Sequence, residues 1–271
     1  MSKLLSYSKI AGYHKCPAST YASETAKSEV ITKVALHRLG LPFDVDLSLL
    51  ERTATEATAY GQVGHMLTQE KLTFNRETED TEMFIDMYFQ EYNDIIRTPK
   101  KKNIKKKFLD LDFVTDNMVA ALDEREGNDI YNGKVEEHWT VDNVHGFIDY
   151  ILPSGKIVDF KFLSEIETPD GYDWWVAYEL QAQIYAWMNF RLNGTLQPVL
   201  YEAYIKKTKD IVFHEFIYDM MDMAVIEEML EAEARDIQKQ RTSDFLWRCD
   251  HPFCQYCKKT RDLVYSFHLT N

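Results

Sequence analysis

Three charged side chains interrupt an otherwise apolar stretch, VHGFIDYILPSGKIVDFKFL, between Val144 and Leu163: Asp149, Asp159 and Lys161. Two carboxylates and an ammonium suit a hard divalent cation and a phosphate, since oxygen donors hold the ion and the ammonium neutralises the anion. The stretch reads as strands Val144–Leu152 and Lys156–Leu163, rich in Ile, Val, Phe and Tyr, around Pro153-Ser154-Gly155. A three-residue hairpin loop favours Gly at its last, left-handed position, where Gly155 sits. Pairing is then symmetric about Ser154, and Asp149 falls opposite Asp159. Lys161 joins them on the same side, while Val158, Phe160 and Phe162 point into a core. Facing carboxylates repel in an ordinary sheet. A solvated ion cluster on an exposed face is the alternative, and the hairpin alone leaves both readings open.

Other residues could complete such a site. His65 closes the segment Gly61-Gln62-Val63-Gly64-His65. Two glycines weaken a helix unless something must approach closely there. His65 is therefore a ligand candidate, with a packed or surface histidine as the alternative. Glu137, on a strand from Lys134 to Val141, is a candidate third carboxylate or an exposed strand residue. Gln181 and Tyr185 are four apart on a helix and share a face, with Tyr178 and Trp174 one and two turns earlier. The aromatics read as a core stripe, but a glutamine within that stripe is hard to assign to packing.

All four cysteines lie near the ends: Cys16, then Cys249, Cys254 and Cys257. The Cys254-x-x-Cys257 spacing lets two thiolates reach one metal centre. A site using all four would tie the first twenty residues to the last. Zinc and a [4Fe–4S] cluster both take four thiolates, and spacing does not choose between them. His14, His251 and His268 are reserve ligands. A thiol redox motif would need a βαβ context that Cys254 lacks.

The elements that must position these groups follow from periodicity. A short helix ends at Cys16-Pro17, and helices are expected over Asp46–Phe74, Glu79–Ile96, Phe108–Arg125, Asp173–Leu192 and Met220–Gln240. A second hairpin, Pro198–Lys206 with Asp210–Ile217, turns around Lys207-Thr208-Lys209. Six lysines between Lys100 and Lys107 form either a solvated connection or a phosphate-tracking patch. This order predicts an α/β fold with a mixed central β-sheet flanked by helices. One domain over 1–271 is expected: a helical part over about 1–130, a catalytic α/β core over about 131–218, and a C-terminal helix and cysteine cluster over about 219–271.

The chain has 271 residues, 45% of them hydrophobic, enough for a sizeable core. A net charge of −13 argues against a protein that coats duplex DNA, but leaves room for a local basic groove. No apolar run reaches the length of a membrane span, and MSKLLSYSKIAGYHKCP has no signal-peptide core. A cytoplasmic protein is expected, or one acting in the host cytoplasm if phage-encoded.

Together these residues resemble the RecB-like branch of the PD-(D/E)XK nucleases, and within it the iron–sulfur exonucleases of the AddB and CRISPR-associated type, including phage-borne relatives. The resemblance runs from about Leu5 to Val264. It rests on Ser6-Tyr7-Ser8 before Cys16-Pro17, Gly61 to His65, Gly146-Phe147-Ile148-Asp149, Asp159-Phe160-Lys161 as D-x-K, Gln181 to Tyr185 as Q-x-x-x-Y, and the C-terminal cysteines. It implies a catalytic Mg2+ or Mn2+ bound by His65, Asp149, Asp159 and the Phe160 carbonyl. Lys161 would orient the attacking water and stabilise phosphoryl charge, and Gln181 and Tyr185 would hold the strand. Cys16, Cys249, Cys254 and Cys257 would hold a [4Fe–4S] cluster. The family places its last cysteine after the CxxC pair; none follows here, and Cys249, five residues before the pair, takes that place. The implied activity is DNA exonuclease action on single strands or ends, with Trp174 and Trp175 available to stack on bases. A protein partner in recombination, CRISPR adaptation or phage replication would fit the same resemblance. The alternative is a non-catalytic iron–sulfur or zinc protein that binds nucleic acid or a partner.

Overall fold

Alternating apolar side chains build the expected hairpin, and the sheet grows from it. The computed structural model describes residues 5–7, 10, 56–74, 108, 110–127, 129–167 and 173–242. The chain divides into two units, Arg52–Ile226 and Met1–Glu51 with Glu227–Asn271. In the second, the described residues are a two-residue strand Leu5–Ser6, Tyr7, Ile10 and the helical residues from Glu227. The four cysteines, the reserve histidines, the lysine run and the helix expected over Glu79–Ile96 lie outside the described residues.

The unit Arg52–Ile226 holds β1 (Lys134–Val141), β2 (Val144–Ile151), β3 (Ile157–Leu163), β4 (Val199–Ile205) and β5 (Asp210–Phe216). They pair in chain order: β1–β2, β2–β3 and β4–β5 are antiparallel, and β3–β4 is parallel. The parallel step is the one that needs a crossover helix. That helix is α3 (Trp174–Asn193). The Asp173 side chain accepts the Trp175 N–H at 2.8 Å to cap its start, and Gly194, left-handed at φ 73°, closes its end. The five strands with flanking helices are the mixed α/β arrangement expected from the element order.

α1 (Glu56–Phe74) and α2 (Leu111–Glu126) precede the sheet. Val114, Met118 and Leu122 of α2 and Leu72 of α1 join Tyr150, Val158, Phe160, Leu200 and Tyr204 in one buried cluster. Alternation puts Asp159, Lys161 and Leu163 on the other side of β3. There Leu163, Ala203 and Ile205 pack with Trp174, Trp175 and Tyr178 of α3. The buried Lys71 of α1 ties α2 in place, donating to the Asp112 carboxylate at 2.9 Å and contacting Asp116. β4 is buried along its whole length, as a strand covered on both faces must be.

Candidate active site

The register of the hairpin is the expected one. Tyr150 pairs with Val158 and Ile151 with Ile157, symmetric about Ser154, and Gly155 N–H donates to the Leu152 carbonyl at 2.8 Å. Gly155 has the positive φ, 89°, that its loop position requires. Continued by one pair, this register sets Asp149 against Asp159. The ladder stops short of that pair. Instead the Asp149 carboxylate accepts the Phe160 N–H at 2.9 Å, so a side chain takes over the bond that the parting strand leaves.

α1 brings His65 to the same place. Its Nδ1 lies 3.1 Å from Asp149 Oδ2. The helix reaches the sheet because Gly64 has no side chain: a Cβ there would stand 2.6 Å from Phe162 Cε1, inside contact distance. Gly61, by contrast, has no neighbour within 4 Å of such a Cβ among the described residues, so among these the close approach is at Gly64. Gly64→Ala is expected to destabilise the fold by about 1–3 kcal/mol, and Phe162→Leu in the same chain to recover most of it. Chemical denaturation of the two variants measures this.

Lys161 points back at Asp159 and contacts its Oδ1. Its Nζ also lies over the rings of Tyr178 and Tyr201, 4.8 and 5.3 Å from their centroids. Tyr201 pairs with Asp159 across the parallel step. Its hydroxyl is 3.3 Å from Gln181 Oε1; the Gln181 amide donates to the Tyr185 hydroxyl at 2.9 Å; and Tyr185 donates to the Phe147 carbonyl at 2.9 Å. Gln181 and Tyr185 therefore link β4 to β2 across the gap where β2 and β3 part. Gly146 permits this, since a Cβ there would be 3.0 Å from the Tyr185 ring.

The electrostatics divide the two acids. Burial pushes the Asp159 carboxyl up to about 6, against the pull of the Lys161 ammonium and with further push from Asp149. Burial acts the same way on Asp149, but His65, Lys161 and the Phe160 N–H outweigh it and hold that carboxyl below its usual range. For His65 and Lys161 burial disfavours the charged forms. Asp149 for the histidine, and both carboxylates for the lysine, reverse the sign and raise both groups. The site is two acid–base pairs, His65 with Asp149 and Lys161 with Asp159, of which Asp159 is buried and the other three are half-buried, so it is not a solvated surface cluster.

Of the two readings of Glu137, the strand residue fits: it is half-buried in β1. Glu137 pairs with Ile148 and leaves β1 on the side of the buried Trp139 and Val141, away from Asp149. The register puts Glu136 across from Asp149 instead, exposed and with a positive φ of 50°. Trp174 and Trp175 stack on Tyr178 and His214, with centroids 5.7 and 4.9 Å apart, and pack into the α3 face. Both are half-buried, packed against the cluster of Leu163, Ala203 and Ile205. Tyr201 and Tyr178 went unread as site residues, although Tyr201 stands in the parallel neighbour of a D-x-K strand.

Among the described residues, no three His, Cys, Asp or Glu side chains form a ready metal cage. His65 and Asp149 bond to each other, and Asp159 Oδ1 is buried against Lys161 without a well-formed hydrogen bond. Two carboxylates and an imidazole nonetheless form an oxygen-rich donor set of the kind that Mg2+ and Mn2+ prefer. A cation there would offset the burial that raises Asp159 and the smaller push from Asp149. The donor chemistry fits.

No protein-family model and no curated protein matches the chain. Among solved structures, it is similar to a crystal structure named "Putative exonuclease" from Eubacterium rectale, with 17% identity, a TM-score of 0.49, and coverage of 78% of this chain and 76% of that one. It is also similar to the crystal structure of SSO0001, with 14% identity, a TM-score of 0.31, and coverage of 81% and 88%. Likeness this distant carries no conclusion about activity, which has to be argued from the site. No helix among the described residues is long and apolar enough to cross a membrane.

Proposed function

We propose that this protein is a divalent-metal-dependent deoxyribonuclease, a RecB-like PD-(D/E)XK exonuclease acting on single strands or DNA ends. One observation carries the reading: Asp159, with its carboxyl pushed up to about 6, lies buried against Lys161 and near enough to the Asp149–His65 pair to feel both charges. A purely structural cluster has no need to bury a carboxylate beside a second one.

Asp149, Asp159 and His65 would hold the ion, with the Phe160 carbonyl as a further oxygen donor. When bound, the ion lowers the pKa of a water and neutralises phosphate charge. The chain's own groups do the remaining work. Lys161, kept protonated by the two acids, faces the position where phosphoryl charge develops and steadies it. Its two tyrosine neighbours limit where the ammonium can move. Gln181 and Tyr185 fix the gap between β2 and β3, and with it the placement of a strand against the acids. Cys16, Cys249, Cys254 and Cys257 are proposed to hold a [4Fe–4S] cluster, with zinc as the alternative; a brown rather than colourless preparation separates the two.

Metal binding is tested by melting the protein with and without Mn2+. An ion that binds only the folded state raises stability by about 2.7 kcal/mol at a hundredfold excess over Kd. The wild type is expected to show this gain and Asp149→Asn and Asp159→Asn to lose it. Equal gains in all three proteins would place the ion elsewhere.

A further inference from the structure

We propose that Phe147 and His138 form a stacking platform for one base of the strand whose phosphate lies at Asp149 and Asp159; this rests on the nuclease reading and extends it to how the substrate is gripped. Phe147 is 56% exposed, although it lies within a strand that is otherwise largely covered. It precedes Asp149 by two residues, so both side chains leave the same side of β2, separated by about 7 Å along the strand. That spacing lets a phosphate sit at the acids while the adjoining nucleotide's base reaches the phenyl ring.

An exposed aromatic alone is ordinary. This one is backed and fixed. His138 stands opposite it in the β1–β2 register, and the two rings stack with centroids 4.6 Å apart at 25°. His145 packs edge-on behind His138 with centroids 5.7 Å apart, and their ring nitrogens are 3.5 Å from each other. The Phe147 carbonyl accepts from Tyr185, which continues through Gln181 to Tyr201 beside Lys161. The platform is thus continuous with the candidate site through hydrogen bonds, and its orientation is set by the same helix. A flat ring supported by a second flat ring takes a base by its π-face, in a sequence-tolerant way. The polar imidazoles around it suit a nucleotide better than an apolar peptide side chain.

The test uses the full chain in EDTA, so that binding is read without cleavage. Single-stranded oligodeoxynucleotides carry one fluorescent aminopurine, stepped inward from each end. The wild type is expected to quench one position most strongly. Phe147→Ala should remove that quenching and weaken binding about tenfold, whereas Phe147→Trp should keep both. Because Phe147 is exposed, its variants should melt with the wild type. If Phe147→Ala gives the same quenching profile and the same affinity, while the wild type still cleaves with Mn2+, the platform is wrong and the nuclease reading stands. If the wild type neither binds nor cleaves any strand, the nuclease reading fails and takes the platform with it.

Discussion

Lys161→Ala is expected to slow strand cleavage by about a thousandfold while leaving divalent-ion binding in place. The two effects separate because Lys161 is not among the proposed ligands. Its ammonium contacts Asp159 and lies over Tyr178 and Tyr201, so it is aimed at the site rather than at solvent. The carboxylates hold it protonated, and a fixed positive charge in a water-poor pocket is worth far more than the same charge on a surface. Removing it takes away charge stabilisation and relieves a bound cation of a like-charged neighbour. Single-turnover cleavage and the Mn2+-induced shift in melting temperature, measured on one preparation, give both numbers. A near-normal rate would remove Lys161 from the chemistry. Loss of ion binding along with the rate would make it structural.

The second large effect concerns stability. Glu202 lies on β4 between Phe160 and Phe213, fully buried, and neither carboxylate oxygen has a hydrogen-bond partner among the described residues. Burial pushes its carboxyl well above the ordinary value of 4.5, so the folded protein holds it neutral. The sign follows from that. A group whose folded value is raised contributes its stability below the ordinary value, and that stability is lost as pH rises toward the folded value. The loss runs at about 1.4 kcal/mol per pH unit over the interval. Glu202→Gln removes the titration and is expected to melt like the wild type near the ordinary value and above it at alkaline pH, with a gap that widens upward. Parallel melting curves across the range would mean that Glu202 is solvated or paired.

How much of this was legible depends on the kind of signal. The hairpin register was, because a three-residue loop with glycine last allows only one symmetric pairing and side chains alternate strictly. The α3 span was, expected over Asp173–Leu192 and found over Trp174–Asn193, through its unbroken helical run. What alternation does not show is where a ladder ends. Asp149 and Asp159 are in register, yet the strands part just there, and the Phe160 N–H goes to a carboxylate instead of a strand. The side that Glu137 takes was legible, because it alternates with Val135, Trp139 and Val141; that this side leads away from Asp149 follows only from the pairing with β2. Tyr201 and Glu202 stand in a run, VLYEAYI, that reads as a strand covered on both faces. Nothing local tells that one of these side chains touches the lysine and the next is an unpaired acid. Those facts come from partners distant in the chain. Gly64 was readable as a close approach but Gly61 was not distinguishable from it, since only the packed sheet says which glycine meets Phe162.

Digestion of end-labelled single-stranded DNA with Mg2+, alongside the same strand closed into a circle, tests the central claim most directly. The wild type should shorten the linear strand from an end, spare the circle, and stop when EDTA is added. Asp159→Asn should leave both substrates intact. An Asp159→Asn protein that digests the linear strand as fast as the wild type, or wild-type cleavage that persists in EDTA, would contradict the assignment of Asp149, Asp159 and Lys161 as a metal-dependent nuclease site.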